Sequence, residues 1–254
     1  MFKKCIETVR AAGERIRNAD SITVKEKTDY RNLVTQYDMM TQEYLVTELS
    51  KTVPDASFLC EESDKIELTD GPMFIIDPID GTANFTRGYN LSAVSVAYAD
   101  SGIIQFGIIY NPFTDEMWYA EKGKGAYLNG RRIHVSDGDL KHNLVAFGTS
   151  PYDTILRRKT LSIVSQIIDV SMDVRRCGSA ALDLAGVACG RCGLFFELQL
   201  SVWDYAAGII IVTEAGGTVT DINGRELRLT TEKSTMLAGN PVCHAEYLRR
   251  GFEY

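Results

Sequence analysis

The chain has 254 residues, of which 45% are hydrophobic and 24% charged, the proportions of a soluble globular protein near the upper size for one core. Its net charge of −7 argues against nucleic acid or an anionic membrane as the main partner. No uncharged run is long enough to span a bilayer, and Glu7, Arg10, Glu14 and Arg15 interrupt any signal-like apolar start, so no membrane is expected and the expected location is the cytoplasm.

Phe2, Ile6, Val9, Gly13 and Ile16 share one helical face, which predicts an amphipathic helix over residues 2–17. A short polar strand is expected from Ile22 to Lys27, and a second helix from about Tyr37 to Lys51. Ser57 to Cys60 and Met73 to Ile76 read as buried strands, each running into acidic residues. Val94, Val96 and Tyr98 alternate, as do Phe106, Ile108 and Tyr110, and Asn129-Gly130 is a hairpin turn signal. This half reads as an α+β unit with a largely antiparallel sheet. After about residue 140 the pattern becomes α/β: strands 145–147, 170–175, 194–197 and 218–220 alternate with helices 154–167, 180–189 and 204–214. Asn240-Pro241 supplies an N-cap and an N1 proline for a last helix. The expected organisation is therefore two intimate subdomains, 1–140 and 141–254, with a soft boundary. Six cysteines are read as free thiols, and Cys189-Gly190-Arg191-Cys192 as a helix end with two incidental small residues.

The chemistry concentrates in Phe74-Ile75-Ile76-Asp77-Pro78-Ile79-Asp80-Gly81-Thr82. A buried strand that ends on two anions calls for positive charge, because unpaired buried charge is costly. Hard divalent cations with oxygen ligands meet that need. Pro78 stiffens the turn after Asp77, Ile79 can offer only its backbone carbonyl, and Gly81 permits close backbone approach. The N–H groups of Gly81 and Thr82 could hold a phosphate oxygen. Glu61, Glu62, Asp38 and Asp204 are further acids near element ends. Taken singly, Asp204 and Asp38 also fit plain helix caps, and Glu61-Glu62 a solvated strand end.

In combination these residues resemble a known pattern. Asp77-Pro78-Ile79-Asp80-Gly81-Thr82 with Ala83-Asn84-Phe85, and Trp203-Asp204-Tyr205-Ala206-Ala207-Gly208 with Thr213-Glu214-Ala215-Gly216-Gly217, resemble the two signatures of the inositol monophosphatase family. Cys60-Glu61-Glu62-Ser63 resembles its acidic strand end, and the likeness runs from the first helix to about Asn240. The resemblance implies a layered αβαβα sandwich shared with fructose-1,6-bisphosphatases, lithium sensitivity and a homodimer. It implies one Mg²⁺ at Glu61, Asp77 and the Ile79 carbonyl, a second at Asp77, Asp80 and Asp204, and a third, weaker one sharing Glu61. Thr82 with Asp38 would orient and deprotonate the attacking water, and Lys27 would help shape the metal site. Gly81, Thr82, Asp80, Gly178, Ser179, Ala180 and Glu197 would contact the substrate. The implied activity is Mg²⁺-dependent hydrolysis of inositol 1-phosphate or a similar polyol or sugar phosphate, without a phospho-enzyme.

Alternatives remain at this stage. Asn90-Leu91 stands where many relatives have Phe-Pro, and Arg175-Arg176 is either a solvated strand end or a site for a second phosphate. Fructose 1,6-bisphosphate, histidinol phosphate and a phosphoadenosine nucleotide are rival substrates, though Ala83 stands where a phosphoadenosine enzyme more often has lysine. A haloacid-dehalogenase-like phosphatase uses D-x-D-G-T, one residue shorter than the spacing here. A regulatory binding protein on the same fold is the non-enzymatic alternative.

Overall fold

The computed structural model describes residues 1–27, 30–63 and 67–253. In chain order the first half comprises α1 (Phe2–Arg17), β1 (Val24–Glu26), β2 (Leu33–Thr35), α2 (Gln36–Thr52), β3 (Ser57–Cys60), β4 (Met73–Asp80), α3 (Thr82–Thr86), β5 (Ala93–Asp100), β6 (Ile103–Asn111), β7 (Glu116–Glu121), β8 (Ala126–Leu128) and β9 (Arg131–Ile133). The second comprises β10 (Leu144–Phe147), α4 (Thr154–Ile167), β11 (Asp173–Arg175), α5 (Ala180–Ala188), β12 (Leu194–Leu200), α6 (Val202–Glu214), β13 (Thr218–Thr220), β14 (Ser234–Gly239) and α7 (Pro241–Arg250).

The strands build a seven-stranded sheet in the order β3-β4-β5-β6-β7-β8-β9 and a five-stranded sheet in the order β11-β10-β12-β14-β13. Only β3 and β4 run parallel in the larger sheet, so it is largely antiparallel as its alternating pattern implies. Helices α1 and α2 cover one face, where Val9, Ile16, Leu45 and Leu49 pack on Phe74, Ile76 and Phe106. Helices α5 and α6 fill the space between the sheets, and α4 and α7 cover the outer face of the smaller sheet. The result is the layered αβαβα sandwich. The middle layer joins Ile75 and Ala97 to Leu184, Phe195 and Ala207 in one core, so residues from both sides of position 140 bury each other. Gly107 allows this approach: a Cβ there would lie 2.6 Å from the Ala207 carbonyl oxygen of α6. Among the described residues no helix is long and apolar enough to cross a membrane.

Most elements fall where the sequence places them, but four strands differ in ways that matter. Strand β4 does not stop at Ile76; it continues to Asp80, with a shift of register between Asp77 and Asp80. That is a bulge, where a proline without an N–H is tolerated, and Pro78 occupies it. Strands β2 and β14 were not expected; β14 lies between β12 and β13 and runs antiparallel to both, so the smaller sheet is mixed. Strand β11 begins only at Asp173, because Val170 and Ser171 bond back to Ile167 as α4 ends. The hairpin at Asn129-Gly130 forms as expected, with positive φ at both residues (48° and 81°). All six cysteines are free.

Candidate active site

One cleft of about 680 Å³ gathers five of the acidic candidates, Glu61, Asp77, Asp80, Asp204 and Glu197, and adds Asp183; Asp38 and Glu62 do not line it. A second cleft of about 630 Å³, between residues 134–138 and 240–242, contains a single carboxylate, Asp137, and offers no comparable chemistry.

The larger sheet delivers three of these acids. Glu61 follows β3, its N–H bonded to the Ile76 carbonyl at 3.1 Å. Asp77 lies on the β4 bulge and accepts the Ile79 N–H at 3.0 Å, while the Ile79 side chain is buried in the core and its carbonyl is left facing Thr82. Asp80, at the end of the bulge, accepts the Ser179 hydroxyl at 2.6 Å and the Ala181 N–H at 2.7 Å. Gly81 must follow, since its φ of 88° and a 2.9 Å approach of any Cβ to the Leu91 carbonyl leave no room for a side chain.

Helix starts deliver two more. Asp38 and Asp204 are not N-caps; each is the third residue of its helix and closes a capping box. Thr35 donates its N–H at 2.8 Å and its hydroxyl at 2.5 Å to Asp38 Oδ2, and Ser201 donates its N–H at 2.6 Å to Asp204 Oδ2. The spacing Thr35-x-x-Asp38 and Ser201-x-x-Asp204 carried that signal. Thr82 Oγ1 then lies 3.2 Å from Asp38 Oδ1 and 3.1 Å from the Ile79 carbonyl, which puts the expected pair in contact.

Electrostatics mark the cluster as short of positive charge. Burial, then the charges of Glu61, Asp80 and Asp204, push the Asp77 carboxyl far above the usual range. Burial raises Asp80 to about 6 despite its two hydrogen bonds, and raises Asp204 with help from Asp80 and Glu61. Burial also raises Asp38, against the bonds from Thr35. Lys27 Nζ reaches Glu61 at 3.0 Å and Glu62 still more closely. Burial disfavours its charge, but the two carboxylates outweigh that and hold it protonated above the ordinary lysine range. Among the described residues no three His, Cys, Asp or Glu side chains are already arranged to hold a metal ion. The donor set nonetheless fits a hard cation: carboxylates and one carbonyl, with no thiol or imidazole lining the cleft.

The smaller sheet supplies the opposite wall. Glu197 lies within β12, which runs on to Leu200 rather than ending at 197, and is 7% exposed; its Oε1 accepts the Ser150 N–H at 2.9 Å, and burial raises its pKa to about 7. Gly148 lies so close that any Cβ there would overlap the Glu197 carboxylate. Gly178, with φ of 82°, leads into Ser179 and Ala180 at the start of α5. The hydroxyl of Ser179 bonds Asp80, so it positions that acid from across the cleft. Three lining residues had no signal in the sequence. Asp183 is 3% exposed, and its Oδ1 has no hydrogen-bond partner among the described residues. Tyr152 reaches over the cleft on the loop after Ser150, itself at φ 43°. Lys233 bonds the Ser201 hydroxyl and sits 5.7 Å from the Trp203 ring centre.

With this geometry in hand, comparison with known proteins places the chain. The model of the inositol monophosphatase family matches residues 2–252. The chain is 35% identical over 240 residues to an inositol-1-monophosphatase of Bacillus subtilis, covering 93% of this chain and 90% of that protein. It is 36% identical over 252 residues to the Nus factor SuhB of Xylella fastidiosa, covering 94% and 90%. The crystal structure of the extragenic suppressor protein SuhB of Bartonella henselae superposes with a TM-score of 0.90 at 36% identity, covering 98% of this chain and 96% of that one. The chain belongs to the inositol monophosphatase family and is a phosphatase of that type.

Proposed function

We propose that the protein hydrolyses a phosphate monoester of a polyol or sugar, with inositol 1-phosphate the first expected substrate. The observation that carries this reading is the crowded, mutually repelling set Glu61, Asp77, Asp80 and Asp204 beside the Thr82–Asp38 pair. Glu61, Asp77 and the Ile79 carbonyl would hold one Mg²⁺, and Asp77, Asp80 and Asp204 a second, with Glu61 shared by a weaker third. Bound there, Mg²⁺ would offset the carboxylate charge, lower the pKa of a nearby water and polarise the phosphoryl oxygens.

The chain's own residues do the rest. Thr82 donates its hydroxyl hydrogen toward Asp38 or Ile79, which leaves an oxygen lone pair to accept a hydrogen bond from water. Asp38, raised by burial, is poised to take the proton that Thr82 relays. The water oxygen bonds to phosphorus as the ester P–O bond breaks; the alkoxide takes a proton, and inorganic phosphate and the free polyol leave. Gly81 and Thr82 hold phosphate oxygens through their N–H groups. Gly178, Ser179, Ala180 and Asp80 border the polyol, and Glu197 accepts its hydroxyls through the carboxylate oxygen that Ser150 does not use.

Phosphate release from inositol 1-phosphate, fructose 1,6-bisphosphate, histidinol phosphate and phosphoadenosine phosphate, with and without Mg²⁺, tests the reading. Release from none of them would overturn it. A second reading, regulatory binding on the same fold, is favoured by the resemblance to Nus factor relatives. Replacing Asp77 by Asn separates the two, because binding would survive the change and hydrolysis would not. We also propose a homodimer; Ile155, Leu161, Ile168 and Met172, on or next to α4, are half or more exposed and suit such a contact. Light scattering at the monomer mass would contradict it.

A further inference from the structure

The turn after β4 and the turn before α5 meet backbone to backbone. A Cβ on Gly81 would lie 3.2 Å from the Gly178 carbonyl oxygen and 3.3 Å from the Ser179 Cβ. Glycine has no side chain to hold such a contact, so another group must fix it. Asn84, half-buried on α3, is that group. Its Nδ2 donates to the Leu91 carbonyl at 2.7 Å and to the Cys177 carbonyl at 2.9 Å. Its own backbone carbonyl accepts the Tyr89 N–H at 2.9 Å. Two carbonyls call for two hydrogens on one nitrogen, which an asparagine supplies and an aspartate lacks.

The two ends of this clasp belong to different parts of the proposed chemistry. Thr82, two residues before Asn84, bonds Asp38 and is proposed to orient the attacking water. Cys177 is followed at once by Gly178, Ser179 and Ala180, proposed to border the polyol. Ser179 donates to Asp80 Oδ2 at 2.6 Å and caps α5 by accepting the Leu182 N–H at 3.3 Å. The Ala181 N–H meets the same Asp80 oxygen at 2.7 Å. The start of α5 is thus tied to the acid cluster at one point and to α3 at another; two ties fix an orientation where one leaves a pivot. Asn84 does not itself line the cleft, so whatever it does to the reaction passes through the segment it holds.

Register matters because the reaction joins groups from both walls, and a misplacement of about 1 Å costs on the order of a hundredfold in rate. We propose that Asn84 is a positioning residue that keeps the 178–180 segment in register with Thr82, so that its loss penalises substrates whose alcohol lies along that segment and spares those whose alcohol does not. This rests on the phosphomonoesterase reading above and deepens it, by naming a residue that couples substrate choice to the attacking water.

The test compares inositol 1-phosphate with p-nitrophenyl phosphate, which has no hydroxyls to place along that wall, at saturating Mg²⁺. Amide hydrogen exchange on the same proteins, without substrate or metal, reads the turn directly. In Asn84→Ala the ratio of kcat/KM on inositol 1-phosphate to that on p-nitrophenyl phosphate should fall about tenfold, equivalent to about 1.4 kcal/mol. The Ala181 and Leu182 amides should exchange faster, and those of Phe74 to Ile76 in β4 should not change. Asn84→Asp should move both readouts further, since it sets an anion against two carbonyl oxygens; if it does not fold, Asn84→Ala still decides. A ratio that stays the same, whether both rates fall together or neither moves, would overturn the proposal and leave Asn84 as a contact of the fold alone. A fallen ratio with unchanged exchange at Ala181 and Leu182 would overturn it too, because the effect would not pass through α5. No hydrolysis of either substrate by the unaltered protein would overturn the phosphatase reading and the substrate arm of this inference; exchange in Asn84→Ala would then decide the clasp by itself.

Discussion

The two walls of the cleft hold their functional groups differently. On the larger sheet, Glu61, Asp77 and Asp80 stand on strand ends and a bulge, each fixed through the backbone of its own or a neighbouring element. On the smaller sheet, Glu197 is held by the loop at Ser150, and Arg176 and Gly178 by a glycine turn. Asp77 and Asp80 lie on β4, paired with both β3 and β5, and cannot shift without breaking ladder bonds; Glu197 also stands on a paired strand, β12, but the loop at Ser150 that aims its carboxylate can be reshaped at less cost. Under the function proposed above, the difference amounts to a division of labour: charge and reaction on the rigid wall, choice of substrate on the adjustable one.

The largest expected effect lies on the rigid wall. Asp77→Asn should lower turnover by at least about a thousandfold, since more than about 4 kcal/mol of barrier hangs on the acid shared by both proposed metal positions. The same change should stabilise the metal-free protein, because Asp77 is a buried charge pressed by three others. A gain of about 1 kcal/mol would appear as a melting temperature about 2–4 °C higher in chelator. A lower melting temperature would mean that repulsion does not dominate the cluster.

Thr82→Ala comes next. Turnover should fall about a hundredfold, the scale of a lost acid–base contribution, while the Mg²⁺ concentration for half-maximal rate stays within about threefold. Collapse of Mg²⁺ affinity instead would make Thr82 a ligand.

On the adjustable wall the effects should be smaller and selective. Glu197→Gln should cost about tenfold on inositol 1-phosphate and much less on p-nitrophenyl phosphate, because only the polyol hydroxyls lose their acceptor. Gly148→Ala should act in the same direction by displacing the Glu197 carboxylate, with about 1–3 kcal/mol of instability from overpacking. Equal losses on both substrates would erase the distinction between the walls.

The smallest effect lies on the outer face of the smaller sheet. His244 is buried on α7 with Nε2 2.8 Å from the Thr220 hydroxyl, and burial lowers its pKa below 6.5. The unfolded chain then binds the extra proton, so this contribution is complete above pH 6.5 and is lost as pH falls below it. Between pH 7 and 5.5 the parent should lose more stability than His244→Gln, by less than about 1 kcal/mol on the scale of one pKa unit. Parallel unfolding curves at every pH would rule out a neutral buried His244.

The same contrast governs what the sequence revealed. Helix α1, the hairpin at Asn129-Gly130 and the acids around Asp77 were legible because periodicity, turn chemistry and clustered charge are local signals. Strand β14 was not, because Met236 to Gly239 are buried on both faces and lack alternation. The continuation of β4 past Ile76 hid behind Pro78, which normally ends a strand and here sits in a bulge. Asp38 and Asp204 were visible as acids at helix starts, and the hydroxyl residues three before them, Thr35 and Ser201, held the further signal that they close capping boxes rather than cap. Asp183 reads as one more residue of α5; only the packing of that helix between two sheets turns it into a buried wall of the cleft.

The central claim is that the crowded carboxylates are a cation site that serves phosphate ester hydrolysis. It is tested most directly by titrating Mg²⁺ into chelator-treated protein while following both melting temperature and phosphate release from inositol 1-phosphate, for the parent and Asp77→Asn. The expected result is that both signals rise together in the parent and neither rises in the variant. Phosphate release that persists undiminished in chelator, or stabilisation by Mg²⁺ equal in parent and variant, would contradict the account.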